Sequence, residues 1–222
     1  MLKIYVTDCT FLKSKMQWQQ MERLVSEERR ERILSFHSMD DRRRSLAASL
    51  LLRIALLEEH ISYEETCFSK GRHGKPLLTN SSLYFNVSHA GERAMCALAD
   101  REVGADVESL FRFEKRKKGP EHIAGKCLNP KELAILEDSD RYEEELIRVW
   151  TKKESYVKMT GEGLSRDFTT VDTTVENCYE QRILPGGYCA TVCTREFCGP
   201  GIWQEVTWNN GRQEGYQLCM MN

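Results

Sequence analysis

The segment Asp40 to His60 constrains the fold most. Leu46, Leu50, Ile54 and Leu57 recur there at helical spacing and predict a long helix with an apolar face. Strands flank it to supply a partner. Residues 1–7 alternate as a strand does, and Leu83–Ser88, Ala94–Asp100 and Val103–Glu108 read as three more. Upstream, Gln17 to Leu34 reads as a helix that Ser26 could restart as an N-cap. Helices then return. Asn129-Pro130-Lys131-Glu132 opens one, and Tyr142 to Met159 is a second long one, ending at Thr160-Gly161-Glu162-Gly163. Phe168–Val175, Tyr188–Cys193 and Trp203–Thr207 follow as expected strands. This order predicts an α+β fold of two similar subdomains, residues 1–105 and 106–222. Phe111 to Gly125 reads as a polar, basic segment, mobile or wrapping.

Composition excludes several function classes. The chain of 222 residues carries a net charge of −2, so no global basic field favours nucleic acid. Local basic clusters exist at Arg29, Arg30 and Arg32, at Arg42, Arg43 and Arg44, and at Lys115 to Lys118. Arginines near a helix start oppose the macrodipole, which hints at an anionic partner for one of them. Nine scattered cysteines, with no CxxC pair, read as free thiols in a reducing cytoplasm. The start of the chain lacks the pattern of a secretory signal. The longest apolar stretch, Leu46 to Leu57, is too short and polar to span a membrane.

Chemistry concentrates in four places. Trp150, Glu154 and Lys158 stack on one helix face, four residues apart. They fit either an ordinary helix ion pair beside a packed aromatic, or a ligand-facing set. About forty residues upstream, Asp106 and Glu108 point to one side of a strand. They fit either a solvated edge or a Mg²⁺ site that also takes substrate phosphate. Ser88-His89 with Gly91 ends a strand, where hydroxyl, imidazole and backbone N–H can hold a phosphate oxygen. Gly74-Lys75-Pro76 is a turn that could also present an amine and a flat backbone surface to an adenine or phosphate; no Walker loop is present.

Together these segments resemble the 4′-phosphopantetheinyl transferases of the surfactin-synthetase-activating (Sfp-like) type. The match runs in family order through Gly74-Lys75-Pro76, Phe85 to Gly91, Val103 to Glu108, and Trp150 to Lys158 followed by Gly161-Glu162-Gly163-Leu164-Ser165. It spans the chain to about Thr170, and the last fifty residues agree only in general character.

The resemblance implies a pseudo-two-fold fold with coenzyme A between the halves, the N-terminal half on the adenine and 3′-phosphate side. The implied reaction moves the phosphopantetheine arm of coenzyme A to a serine of an apo carrier protein. By the same resemblance Asp106, Glu108 and Glu154 would hold Mg²⁺ or Mn²⁺, with Glu154 as a candidate base. Lys158 and His89 would contact phosphates beside Ser88. Lys75 and Pro76 would flank the adenine, and Arg29, Arg32 and Arg44 would meet the 3′-phosphate. Phe111 to Lys118, with Gly125 to Leu128, would dock an acidic carrier, or stand as a solvated charged loop. A monomer would suffice. Two rivals are a metal-dependent pyrophosphate hydrolase and a non-catalytic coenzyme A-binding protein.

Overall fold

A computed structural model describes residues 1–113, 119–175, 178–196, 199–208 and 219–220. The expected basic run Lys115 to Lys118 and Cys198 lie outside them. Strand β1 (Leu2–Asp8) is followed by helices α1 (Lys15–Met21), α2 (Glu27–Leu34) and α3 (Met39–Glu58). Strands β2 (Phe68–Lys70) and β3 (Pro76–Leu78) form a small ribbon, and β4 (Tyr84–Ala90), β5 (Arg93–Ala99) and β6 (Val103–Ser109) follow. The remainder comprises α4 (Pro120–Cys127), α5 (Pro130–Glu137), α6 (Tyr142–Thr160), β7 (Tyr179–Leu184), β8 (Tyr188–Thr194), β9 (Ile202–Glu205) and β10 (Cys219–Met220).

The fold is α+β. One sheet has the order β10-β9-β1-β5-β4 and carries α3; the other has the order β6-β8-β7 and carries α6. The sequence of β5 explains its place. All seven of its residues are buried. Ala94, Cys96 and Leu98 pack with α3 residues such as Leu46, Leu50 and Leu51. Met95, Ala97 and Ala99 face the other way, against Val103, Ala105, Val107, Ala190 and Val192 of the second sheet. Burial on both faces is why the strand reads as a continuous apolar run, and small residues let the sheets approach.

β6 spans the expected division between residues 105 and 106 and belongs to the second sheet. β9 returns to the first sheet and lies parallel to β1, pairing Lys3 with Ile202 through Val6 with Glu205.

Two of four local expectations need correction and two are sharpened. The expected helix Gln17–Leu34 breaks after Met21, and Ser26 caps its second part by accepting the Arg29 N–H at 3.3 Å. Residues 120–127 form α4, with Pro120 in its first turn and Ala124 buried. Phe168–Val175 is not a strand. A short 3₁₀ turn covers Phe168–Thr170, because the Asp167 and Asp172 carboxylates accept the Thr169 and Thr174 N–H groups at 2.9 and 3.0 Å. Two of the arginines at the start of α3 find their anionic partners within the helix: Asp40 meets Arg43 at 2.6 Å and Asp41 meets Arg44 at 2.5 Å.

Candidate active site

The site forms where the two sheets meet. β4 and β6 lie side by side, joined by side chains that reach across to backbone. Asn86 and Ser88, two residues apart, share one side of β4. The Asn86 Oδ1 accepts the Ala105 N–H at 2.9 Å, and the Ser88 Oγ accepts the Val107 N–H at 3.3 Å. This stitching fixes the residue between those two amides, Asp106, which is only 4% exposed.

α6 lies across β6 at close range. A Cβ on Gly104 would stand 1.9 Å from the Ser155 carbonyl oxygen and 2.4 Å from the Met159 nitrogen. The glycine thus permits the approach that brings α6 side chains to the β6 carboxylates. Lys158 Nζ donates to Asp106 Oδ1 at 2.5 Å and to Ser88 Oγ at 3.1 Å. Ser88 in turn donates to the same Asp106 oxygen at 2.9 Å. Its hydroxyl therefore donates once and accepts twice.

A cleft of about 280 Å³ opens onto this triad. Arg29, Ser88, His89, Asp106, Glu108, Glu154 and Lys158 all line it, with Arg112 and Trp150. Arg29 enters from α2, held by α3 hydroxyls: Nε donates to Ser49 Oγ at 2.8 Å and a terminal nitrogen to Ser45 Oγ at 2.9 Å. The other expected residues do not line the cleft. Arg32 is exposed on α2. Arg44 donates to the Gly91 carbonyl at 3.0 Å as well as to Asp41. The Lys75 ammonium donates to the Val103 and Met159 carbonyls, both at 3.0 Å, and so ties the start of β6 to the end of α6. Burial lowers its pKa to about 8. Pro76 is half-buried at the start of β3.

The charges in the cleft are mutually dependent. Burial, then the neighbouring Asp106 charge, raises the Glu108 carboxyl to about 7. The same two causes, in that order, raise Glu154. Burial works against the Lys158 charge, but Asp106, Glu154 and Glu108 outweigh it and raise its pKa. His89 is lowered by the protein packed around it and by Arg44 and Lys158. Its ring is exposed at the cleft mouth, so the two cations are the better-founded cause.

The donor set suits a hard cation: all three acids offer oxygen only. Asp106 Oδ2 is buried and has no hydrogen-bond partner. Among the described residues, however, no three His, Cys, Asp or Glu side chains are drawn together as a ready cation cage. Lys158 and Arg112 hold oxygens of Asp106 and Glu108 instead.

The Arg112 pairing and the burial of Lys153 were not anticipated. Arg112 pairs with Glu108 and lies over the Trp150 ring, 5.0 Å from its centroid. Arg112 stands four residues after Glu108, but no strand or helix period aims it there from the sequence. Trp150, read as either a packed aromatic or part of a ligand-facing set, is both: it packs against Phe168 at 5.4 Å between centroids and lines the cleft. Lys153 and Glu154 are neighbours in sequence but part company. Lys153 is fully buried, pairs with Glu132 at 2.7 Å and donates to the Phe168 and Val171 carbonyls at 2.8 and 2.5 Å.

Comparison with known proteins places the chain in a family. A family model described as 4′-phosphopantetheinyl transferase, N-terminal, matches residues 11–101, and one described as 4′-phosphopantetheinyl transferase superfamily matches residues 102–197. A 4′-phosphopantetheinyl transferase of Bacillus subtilis is 30% identical over 145 residues, 64% of this chain and 62% of that protein. The 4′-phosphopantetheinyl transferase gsp of Aneurinibacillus migulanus is 29% identical over 143 residues, 63% of this chain and 57% of that one. The L-aminoadipate-semialdehyde dehydrogenase-phosphopantetheinyl transferase of Mus musculus is 30% identical over 168 residues, 70% of this chain and 54% of that protein. The chain thus spans less than two thirds of the length of these relatives. The two family models abut and together run from residue 11 to residue 197, and on that continuous match the chain belongs to the 4′-phosphopantetheinyl transferase superfamily.

Proposed function

We propose that this cleft transfers the 4′-phosphopantetheine arm of coenzyme A to a serine hydroxyl of an apo carrier protein. Adenosine 3′,5′-bisphosphate is the other product. The observation that carries the reading is the convergence of Ser88, Asp106 and Lys158, from β4, β6 and α6, in a cleft shared with Glu108 and Glu154. In the reaction the serine oxygen bonds to the pantetheine-side phosphorus, and the pyrophosphate bridge to the nucleotide breaks. Positioning and charge neutralisation then dominate catalysis.

In this reading residues 1–105 serve the adenine and 3′-phosphate, and residues 106–222 the metal and the catalytic helix. Arg29, Arg32 and Arg44 meet the 3′-phosphate. Lys75 and Pro76 flank the adenine with backbone and aliphatic surface, since the Lys75 ammonium is committed to two carbonyls. His89 and Ser88 hold phosphate oxygens. Asp106, Glu108 and Glu154 would hold Mg²⁺ or Mn²⁺, which when bound neutralises pyrophosphate charge. Lys158 stabilises the leaving phosphate. Glu154, raised by burial, takes the serine proton.

An acidic carrier would dock beside α4, near Lys126. The chain acts as a monomer in a reducing cytoplasm. Cys9, Cys67, Cys96, Cys127, Cys189 and Cys193 are free thiols, and no described helix is long and apolar enough to cross a membrane. The test is to incubate the protein with coenzyme A, Mg²⁺ and an apo carrier protein and weigh the carrier. A gain of one phosphopantetheine is the expected result. Free phosphopantetheine without carrier would point to hydrolysis, and binding without turnover to a passive binder.

A further inference from the structure

We propose that Arg112 is a resident counter-ion that must release Glu108 before a divalent cation can bind. The released guanidinium, still over Trp150, then meets an oxygen of the ligand's pyrophosphate. This inference rests on the reading of the cleft as a cation and pyrophosphate site.

The three acids are held unequally. Glu154 has no hydrogen-bond or ion-pair partner among the described residues. Asp106 keeps one oxygen free and gives the other to Lys158 and Ser88. Glu108 is gripped by Arg112, with both side chains only about one-fifth exposed, at 17% and 21%. A cation drawn to these three acids therefore competes with Arg112 at Glu108 and not at Glu154. Competition in a partly desolvated site is strong, because water screens neither rival well.

Arg112 is built to stay after it lets go. The Arg112 N–H bonds back to the Ser109 carbonyl at 3.1 Å, a tight turn that folds the residue over the acidic strand. Phe113, next in the chain, is 6% exposed in the core of α4, α5 and α6 and anchors the turn. The guanidinium rests on the Trp150 face, and its Nε is buried without a partner. A planar guanidinium keeps that stack while its outer nitrogens turn to another anion, which an ammonium could not do. The pyrophosphate is the anion that would enter the cleft with the cation.

The test uses the full chain with Mn²⁺ alone as the first ligand, by titration calorimetry. Arg112→Gln should bind Mn²⁺ about tenfold more tightly than the unaltered protein. In saturating Mn²⁺ the same variant should bind coenzyme A about tenfold more weakly. Equal or weaker Mn²⁺ binding by Arg112→Gln overturns the counter-ion role. Unchanged coenzyme A binding overturns the second half. If neither protein binds Mn²⁺, the cation reading of the cleft fails and takes this inference with it. If Arg112→Gln does not fold, Arg112→Lys carries the test, with Mn²⁺ binding expected about threefold tighter because the planar pairing is lost. Unchanged affinity there overturns the proposal.

Discussion

At the scale of single residues, adjacent positions on α6 do opposite work. Glu154 faces the cleft, and Lys153 is sealed in the core with Glu132. Glu132 is fully engaged: it also caps α5 through the Asn129 N–H at 2.9 Å and accepts from Thr173 at 2.9 and 2.7 Å. Lys153→Met should therefore leave a buried carboxylate uncompensated and cost about 3–5 kcal/mol, read as a lower urea midpoint. An unchanged midpoint would contradict the structural role. The raised Glu108 and Glu154 predict a pH effect. The folded protein holds their protons more tightly than the unfolded chain does. The contribution of Glu108 to stability is therefore greatest in acid and is lost as pH rises from 4.5 toward about 7, and Glu154 acts in the same direction. A cation needs both ionised, so Mg²⁺ should raise the melting temperature more at about pH 8 than at about pH 5.5. A shift independent of pH would remove these carboxylates from the cation site. Sequence spacing alone brought out Asp106 with Glu108 and Glu154 with Lys158, since strand and helix periods assign each pair to one face. It could not reach Arg112, whose direction is set by a turn anchored through Phe113. Nor could it show the Lys75 ammonium turned inward to two carbonyls.

At the scale of elements, the site depends on how closely α6 approaches β6. Gly104→Ala should push them apart, because the new methyl meets backbone rather than a flexible side chain. We expect a loss of about 1–3 kcal/mol of stability, by denaturant unfolding, together with weaker coenzyme A binding. A variant equal to the unaltered protein in both would show that the approach is not critical. Leu46, Leu50 and Ile54 at helical spacing marked α3, although its middle is buried on nearly every side and Leu57, read as part of one apolar face, is exposed. Helical spacing marked α6, and double burial made β5 visible as an apolar run. The stretch after α6 misled, because its apolar residues feed a turn whose carbonyls bond to Lys153, not a ladder. α4 was hidden by the charged run before it, although Pro120, Ala124 and Leu128 carry a short helical pattern.

At the scale of the whole molecule, two helix-backed sheets meet along β4 and β6, and the cleft opens on that seam. The repeated order of elements foretold the two halves. The parallel pairing of β9 with β1, which fastens a late strand to the first, left no trace in local patterns, because it is a contact of nearly two hundred residues' separation. The measurement that tests this account most directly is the mass of an apo carrier protein after incubation with coenzyme A and Mg²⁺, using the unaltered protein and Asp106→Asn side by side. The account predicts a gain of one phosphopantetheine with the unaltered protein, and a rate lowered about 10²–10³-fold by the substitution. No gain with the unaltered protein, or equal rates from the two, would contradict it.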